Sequence, residues 1–340
     1  MANRFWVGGT GTWNTTSTAN WSTTSGGAPG ASAPTSADAA IFNSLSGGGT
    51  VTLGENVTSQ TFLPSGFTGT INFNSFIVSV AGNALSVYTG STSHTMTGTP
   101  RVNLTYAGSA GTRTITPGVG VTEANAVSFN VTAGSDIVSI SGNGSRIMSL
   151  TFQPAFTGSF TRASSCGLFG SLTMHSGMTF TATANTLTFA ATTAQTITTG
   201  GLVVDCALSF AGVGGIWAFQ DAFTQGSTRA TSFSNGTIKL KNGVTSTTGS
   251  FSTSGVTQKY LQSTLAGSQA TLSQASNTIN VSNLSIQDIN ATGGATWNAY
   301  VDYDNEDAGN NDGWNFGLSP PYETYEPPII IRSFTQPRRF

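Results

Sequence analysis

Short segments in which apolar and hydroxyl-bearing side chains alternate run through most of the chain. Examples are residues 76–80 (FIVSV), 172–174 (LTM), 187–189 (LTF) and 279–281 (INV). A period of two is typical of β-strands, because successive side chains of a strand point to opposite faces. Asn-Gly and Gly-Asn pairs, which suit the positive φ of tight turns, separate many of these segments. No window of a dozen residues has the 3.6-residue period of a helix, so the sequence predicts an all-β fold.

Two sequence patterns return imperfectly at wide spacing. Residues 61–70 (TFLPSGFTGT) return ninety residues later as TFQPAFTGS, and residues 77–83 (IVSVAGN) return sixty residues later as IVSISGN. Both offsets are multiples of a coil of roughly 20 to 30 residues, the range in which solenoid repeats lie. We therefore predict a right-handed parallel β-helix of about ten coils, whose inward side chains stack from coil to coil. Tandem β-sandwiches are the alternative, since alternating strands with Asn-Gly turns serve both folds.

The chain is depleted in charge. Only 26 of its 340 residues are Lys, Arg, Asp or Glu, and the net charge is −2, whereas about a quarter of an average globular chain is charged. This composition provides neither a basic footprint for nucleic acid nor a polybasic membrane patch, so neither partner is expected. Apolar residues make up 37 % of the chain, which excludes disorder caused by high charge and low hydrophobicity.

The remaining charges are distributed unevenly along the chain. Sixteen lie in the first 300 residues and ten in the last forty. The sequence accordingly predicts four parts: a Trp/Gly-rich N-terminal cap (1–45), a β-solenoid body (46–296), an acidic and aromatic C-terminal cap (297–318) and a Pro-rich extended arm (319–340).

Five tryptophans are candidates for closing the two ends of the solenoid. Trp6, Trp13 and Trp21 lie in a segment of Gly, Thr, Ser and Asn, and Trp297 and Trp314 flank an acidic segment. A bare terminal coil would expose its core, so large aromatic side chains in a polar segment are predicted to plug it. An aromatic platform on which a sugar ring stacks is the alternative interpretation.

The N-terminal block carries a resemblance to a known class of protein. Residues 5–14 (FWVGGTGTWN), 20–22 (NWS), 34–38 (PTSAD) and 41–42 (IF) resemble the opening block of β-helical surface proteins, namely autotransporter-like passenger domains and virion proteins of tailed phages. The first residues lack the apolar region of a secretory signal, which favours the phage side. The resemblance implies a non-enzymatic virion protein, assembled in the host cytoplasm and displayed on the particle exterior as a capsid decoration or cement subunit. A tail fibre or spike that binds a host-surface glycan is the alternative.

The acidic segment near the C-terminus contains a partial calcium motif. Asp302, Asp304 and Glu306 have the alternate spacing of an EF-hand loop, in which oxygen ligands converge on Ca²⁺. The match fails at Asp307, where the motif needs glycine, and at Gly313, where it needs a bidentate Glu. A solvated acidic loop is therefore favoured over a Ca²⁺ site, and no other cofactor is expected.

The last twenty-two residues contain two Pro-Pro pairs followed by an apolar cluster. Pro-Pro pairs forbid helix and favour an extended course. The predicted partner contacts are Ile329, Ile330, Ile331, Phe334 and Phe340. An extended apolar segment of this kind adds a strand to a neighbour, so contacts with other virion proteins or a homo-oligomer are expected. Packing back along its own solenoid is the alternative.

Little in the sequence supports catalysis, and no enzyme is predicted. The chain has no phosphate-binding loop, nucleophile elbow or dinucleotide fingerprint. Two carboxylate pairs, Glu123 with Asp136 and Asp205 with Asp221, are the candidates for glycoside cleavage. Each pair is separated by less than one estimated coil, so stacking on a common face is not required by the sequence.

Histidine and cysteine are equally sparse. His94 and His175 lie far apart without metal-binding spacing, and Cys166 and Cys206 are forty residues apart. We expect the histidines to be surface or hydrogen-bonded residues. The cysteines are predicted to be small buried apolar residues, because free Cys is among the most buried residue types.

Overall fold

The computed structural model describes residues 1–83, 86–90, 93–118 and 120–320. Within them the chain forms short β-strands and three 3₁₀ turns. The strands of the first half are β1 (Ala2–Trp6), β2 (Gly11–Trp13), β3 (Trp21–Ser22), β4 (Asp38–Ile41), β5 (Thr50–Leu53), β6 (Val57–Ser59), β7 (Thr61–Leu63), β8 (Thr70–Asn72), β9 (Val78–Val80), β10 (Tyr88–Thr89), β11 (Thr95–Thr97), β12 (Arg101–Leu104), β13 (Thr112–Thr116), β14 (Ser128–Val131), β15 (Ile137–Ile140), β16 (Ser145–Ile147), β17 (Leu150–Phe152), β18 (Ser159–Arg162), β19 (Cys166–Leu168) and β20 (Leu172–Thr173).

The strands of the second half continue in the same manner to residue 315. They are β21 (Thr179–Phe180), β22 (Thr186–Phe189), β23 (Ala194–Thr198), β24 (Val203–Val204), β25 (Ala207–Phe210), β26 (Ile216–Phe219), β27 (Thr224–Gln225), β28 (Ala230–Phe233), β29 (Thr237–Leu240), β30 (Thr245–Thr247), β31 (Ser250–Thr253), β32 (Lys259–Ser263), β33 (Ala270–Gln274), β34 (Thr278–Asn280), β35 (Leu284–Gln287), β36 (Ile289–Gly293), β37 (Thr296–Asn298), β38 (Glu306–Asp307) and β39 (Trp314–Asn315). The 3₁₀ turns are η1 (Ser44–Ser46), η2 (Glu123–Asn125) and η3 (Val301–Tyr303).

The strands stack as a parallel β-solenoid, as predicted. One sheet of twelve strands runs along most of the rod, from β6 to β38, and the partial first coil that contains β1 and β2 has no strand in it. A second face begins with a sheet of nine strands that includes β1 and β3 and continues as a sheet of five, and a third face is divided into sheets of four, six and three. Among the strands just given, every pairing is parallel except that of β1 with β3. Tandem sandwiches are therefore wrong, because their sheets are antiparallel.

The coil length follows from the strand register along the twelve-stranded sheet. Val57 pairs with Val78, and Val102 pairs with Phe129. Successive coils therefore differ in length but stay within the predicted range of roughly 20 to 30 residues. The number of coils is twelve rather than ten, mainly because many coils are near the short end of this range, as the register of Val57 with Val78 shows. At the strand spacing of about 4.8 Å the rod is about 55 Å long.

The core is built from aligned side chains of successive coils. On the twelve-stranded sheet Val80 pairs with Leu104, Leu104 with Val131 and Val131 with Phe152, and all four side chains are buried. Hydroxyl and amide side chains occupy the alternate, outward positions. Burying only every second residue is what the alternating sequence requires.

The recurring TF…P…FTG pattern is a corner rather than a coil. Its first copy joins β7 to β8 and its second joins β17 to β18, and these strand pairs belong to different faces of the solenoid. At both corners a buried Phe, Phe67 or Phe156, lies against the glycine two residues later, Gly69 or Gly158, where a Cβ atom would meet the ring. The pattern therefore forms the same turn at two different corners of the solenoid. Its ninety-residue offset is accordingly not a whole number of coils.

The predicted boundaries at residues 45 and 297 do not mark changes of fold. Within 1–45, β4 pairs in parallel with β1 and β7, and β2 pairs with β5. Beyond residue 297, β38 and β39 continue two of the sheets. A terminal coil uses the same hydrogen-bond ladder as its neighbours, so within the predicted N-terminal cap only the residues between β2 and β4 leave the solenoid. The predicted partner-contact residues in the arm, Ile329 to Phe340, lie outside the described residues.

Candidate binding site

The third face of the solenoid is interrupted at one coil. Its first sheet ends at β11 and its next begins at β16, and between them the chain passes from β13 to β14 through η2 instead of through a strand. The coil is also longer than the one before it: Val102 pairs with Phe129, whereas Val78 pairs with Val102. The β11 and β16 edges that would have paired with a strand here are left without one in the described structure.

A cavity of about 140 Å³ lies at this interruption. Its apolar side is formed by Phe129 and Ile147, which belong to the core of the solenoid. Thr122 and Asn125, at the two ends of η2, line its other side. The cavity exists because the missing strand leaves a space in the wall that the η2 segment covers only in part.

Tyr88 enters this cavity from the core. Its side chain is 3 % exposed, and the ring packs edge-on against Phe129 with 5.0 Å between ring centroids. Burial raises the pKa of the Tyr88 phenol above its usual value, so the hydroxyl is protonated at neutral pH. Within the described parts of the chain this hydroxyl makes no hydrogen bond. The fully buried polar atoms that lack a partner do not include this hydroxyl, so it keeps some accessible surface, and Tyr88 lines the cavity.

His94 lies on the same cavity and is also buried. Burial lowers the pKa of the imidazole from 6.5 to about 4, although a hydrogen bond to the Pro64 carbonyl opposes the shift. The ring is therefore neutral at physiological pH. The expectation that this histidine is hydrogen-bonded is confirmed.

The cavity has one permanent charge among the side chains that line it, that of Arg146. Arg146 is exposed, and its guanidinium lies over the Phe169 ring at 5.2 Å from the centroid. The three ion pairs among the described residues involve Arg4, Arg113 and Arg229 instead. Arg146 is therefore held by a cation–π contact with its charge uncompensated by a carboxylate.

Titration of His94 leads to a prediction about acid stability. Because the folded-state pKa, about 4, lies below the unfolded value of about 6.5, the unfolded chain takes up the proton first as the pH falls. Stability is therefore lost between about pH 6.5 and pH 4. Between about pH 7.5 and pH 4.5, we expect the free energy of unfolding to fall by about 2.5 kcal/mol less in His94→Gln than in the unmodified protein. Urea unfolding of both proteins at the two pH values measures it, and equal losses would contradict it.

The two predicted carboxylate pairs are occupied by other partners. Asp136 is fully buried and forms a bidentate ion pair with Arg113, at 2.7 and 2.8 Å, while the Glu123 carboxylate accepts a 2.7 Å hydrogen bond from Thr192. Asp205 pairs with Arg229 at 2.6 Å. The fourth candidate, Asp221, accepts hydrogen bonds from the backbone amides of residues 199 and 200. Each carboxylate thus has a local structural partner.

The structure brings the three N-terminal tryptophans together. Trp6, Trp13 and Trp21 are fully buried, with the ring centroid of Trp21 5.3 Å from those of both Trp6 and Trp13, and Phe42 packs beneath them. They lie inside the first coil, under the antiparallel β3. They therefore provide no exposed platform on which a sugar could stack.

Trp297 and Trp314 also contact each other, at the opposite end of the rod. Their ring centroids are 5.0 Å apart, and they are aligned in register on β37 and β39. Trp297 is buried and Trp314 is half-buried. This end therefore carries a smaller aromatic cluster than the N-terminal end.

The predicted calcium ligands do not converge. Asp302 accepts hydrogen bonds from Ser319, which lower the pKa of its carboxyl despite opposing desolvation, and Asp304 accepts one from Asn283. Glu306 is exposed on β38. Among residues 1–320, excluding those the structure does not describe, no three acidic, histidine or cysteine side chains are grouped as metal ligands.

Cys166 and Cys206 are free and buried, as predicted. Burial raises the pKa of each thiol to about 11, so both are protonated at neutral pH. The neighbouring Arg162 is also buried, with its Nη2 bonded to the Asn185 carbonyl at 2.7 Å. Its Nε and Nη1 make no hydrogen bond to a described oxygen or nitrogen atom, and the Arg162 side chain opposes the rise in the pKa of the Cys166 thiol.

Sequence reasoning did not find the cavity. Tyr88 and Arg146 lie far apart in the sequence and meet only because their coils stack. The available signal was the segment 117–127 (PGVGVTEANAV), in which proline, glycine and alanine interrupt the alternating pattern. Such a segment indicates that a strand is missing, but it does not indicate which side chains surround the gap.

Comparison with known proteins identifies no relative of this chain. No protein-family model, curated protein or solved structure matches this chain. Among the described residues no helix is long and apolar enough to cross a membrane.

Proposed function

We propose that this protein is a non-enzymatic structural component of a tailed-phage particle, displayed on the exterior as a decoration or cement subunit. The proposal combines the resemblance of the N-terminal block to β-helical virion proteins with the two unlike ends of the rod. The observation that carries it is the closed N-terminal end, where β3 runs antiparallel along β1 and places Trp21 opposite Trp6. A closed end resists stacking of further strands, so attachment falls to the opposite end.

The outward faces of the rod support a scaffold rather than a catalyst. Amide side chains form ladders between coils: Asn130 donates to Asn103 at 3.3 Å and Gln153 donates to Asn130 at 2.9 Å. A second ladder joins Asn298 to Asn280 at 2.8 Å. Such ladders reinforce stacked parallel strands. They make a neutral surface that has few charges for salt to screen.

The copy number in purified particles tests this function. Quantitative mass spectrometry of particles banded on a density gradient measures the protein against the major capsid protein and the tail proteins. A copy number per particle close to that of the major capsid protein supports decoration. A copy number close to that of the tail fibres supports a fibre or spike instead. Absence of the protein from the particles refutes both functions.

Attachment through the C-terminal segment leads to a further prediction. Deleting residues 321–340 removes the second Pro-Pro pair and the apolar cluster but keeps Ser319, which bonds to Asp302. We expect the truncated protein to unfold at the same temperature as the full chain and to lose particle incorporation. Calorimetry and gel analysis of particles measure the two effects.

A triple variant tests whether the apolar side chains of this segment, rather than its length, are needed for attachment. Replacing Ile329, Ile330 and Ile331 by Thr keeps the length and β-propensity of the segment but removes its apolar surface. Incorporation of this variant is expected to fall with that of the deletion. Full incorporation of the truncated protein would show that attachment lies elsewhere on the rod.

A further inference from the structure

We propose that the cavity at the interrupted coil binds one acidic sugar ring, presented at the end or at a branch of a glycan. Several polar groups that line the cavity have no partner within the described structure. The Tyr88 hydroxyl makes no hydrogen bond to a described residue, and the side chain of Thr122 caps nothing in η2. Asn125 adds an amide at the other end of that turn. Polar groups that converge on a cavity without internal partners are typical of a ligand site.

The size of the cavity limits the ligand to one ring. Its volume of about 140 Å³ compares with the engineered cavity of about 150 Å³ that holds a benzene molecule. The cavity therefore has room for the ring of one pyranose but not for all of its substituents, which lie on the open side where the exposed Thr122 and Arg146 line the cavity. A polysaccharide chain passing through is therefore excluded, whereas a terminal or branching residue can enter.

The two sides of the cavity differ in the way that a sugar ring requires. Phe129 and Ile147 provide an apolar side, against which the C–H face of a pyranose packs. Tyr88, Thr122 and Asn125 provide hydroxyl and amide groups that can both donate and accept hydrogen bonds. A purely apolar ligand would cover these groups without bonding to them, which costs about 1–3 kcal/mol for each polar group that the ligand buries.

The charge of the cavity selects an acidic sugar. Arg146 is the one side chain of the lining that is charged at neutral pH, since burial keeps His94 neutral. Its exposed guanidinium lies over the Phe169 ring at 5.2 Å from the centroid and has no carboxylate partner in the described structure. A guanidinium binds a carboxylate through two parallel hydrogen bonds, so a uronic acid satisfies it and a neutral hexose does not.

This inference does not rest on the proposed virion function. A decoration subunit and a fibre both present the rod to glycans outside the particle, and a pocket for one ring holds a glycan end without cleaving it. Failure of glycan binding would leave the copy-number test unaffected, and absence from particles would leave the binding test unaffected.

Saturation-transfer NMR and calorimetric titration of the full chain with D-glucuronate, D-glucose and acetate test the proposal. We expect saturable binding of glucuronate with a Kd in the millimolar range, about tenfold or more tighter than that of glucose or acetate. Arg146→Gln is expected to abolish the preference for glucuronate over glucose. Tyr88→Phe removes one hydroxyl without changing the packing, and is expected to weaken glucuronate binding about three- to tenfold.

The matched control is Arg101→Gln. Arg101 is an exposed arginine that donates to the Ser75 carbonyl at 2.8 Å and does not line this cavity, so glucuronate binding should be unchanged. Thermal melts of all variants confirm that they fold. Equal affinity for glucuronate and acetate would reduce the site to a simple anion contact and overturn the assignment to a sugar, and unchanged selectivity in Arg146→Gln would overturn the role of its charge.

Discussion

Asp136→Asn is expected to lower the free energy of unfolding by about 3–5 kcal/mol, because it leaves the Arg113 guanidinium buried without a counter-charge. Both side chains are completely buried. The carboxylate receives two hydrogen bonds, from Nε at 2.8 Å and from Nη2 at 2.7 Å, and Arg113 also donates to the Leu104 and Ala133 carbonyls. Asparagine preserves the shape and removes the charge.

Two comparisons separate the buried charge from other effects of this substitution. Asp205→Asn breaks an ion pair whose side chains are 24 % and 34 % exposed, and solvent-screened pairs contribute about 0–1 kcal/mol. The double variant Arg113→Met with Asp136→Leu removes both charges and is expected to regain most of the stability lost by Asp136→Asn. Urea unfolding measures all three proteins. A loss in Asp136→Asn no larger than that in Asp205→Asn would contradict the prediction.

The inward position of Arg113 follows from the alternating pattern of its strand. In the strand Thr112–Thr116, Arg113 stands two residues before the buried Ile115 and therefore on the inward face. Arg162 occupies the corresponding place after Phe160 in β18, and Lys259 before Leu261 in β32. In a chain with so few charges, an inward position for three cations indicates internal polar structure.

The partners of these cations were not predictable in the same way. Asp136 lies on the coil that follows Arg113, whereas Lys259 is satisfied by the backbone carbonyls of Gly255 and Thr257. Coil length varies along the rod, so the residue that lies above a given position changes with each corner. The alternating pattern predicts whether a side chain points inward or outward. Which residue it contacts on the next coil is known only from the strand register of the folded protein.

The same distinction explains the turns and the cavity. Three predicted Asn-Gly turns have the expected positive φ at glycine, 74° at Gly144, 84° at Gly236 and 69° at Gly243, because this conformation is local and favours glycine. The cavity depends instead on a missing strand and on side chains from several coils. Local chemistry was therefore predictable, and contacts between coils were not.

The N-terminal tryptophan cluster gives the other large expected effect. Trp21→Ala is expected to lower the free energy of unfolding by about 3–5 kcal/mol, the usual cost of truncating a buried Trp. Trp21 lies opposite Trp6 in the antiparallel pair that covers the edge of β1, and its ring centroid lies within 5.6 Å of those of Trp6, Trp13 and Phe42. Its loss uncovers both the aromatic core and the hydrogen-bonding edge of the first coil.

Because an uncovered parallel edge accepts another strand, Trp21→Ala is also expected to associate end to end, which light scattering measures beside the unfolding free energy. Trp21→Phe is the conservative control. The indole N–H of Trp21 has no hydrogen-bond partner among the described residues, so phenylalanine loses ring area alone and should remain monodisperse. Trp314→Ala, at the half-buried position of the opposite end, should cost less than Trp21→Ala. If these two alanine variants were equally destabilised and neither associated, closure of the N-terminal end by Trp21 would be refuted, and with it the asymmetry that assigns attachment to the other end.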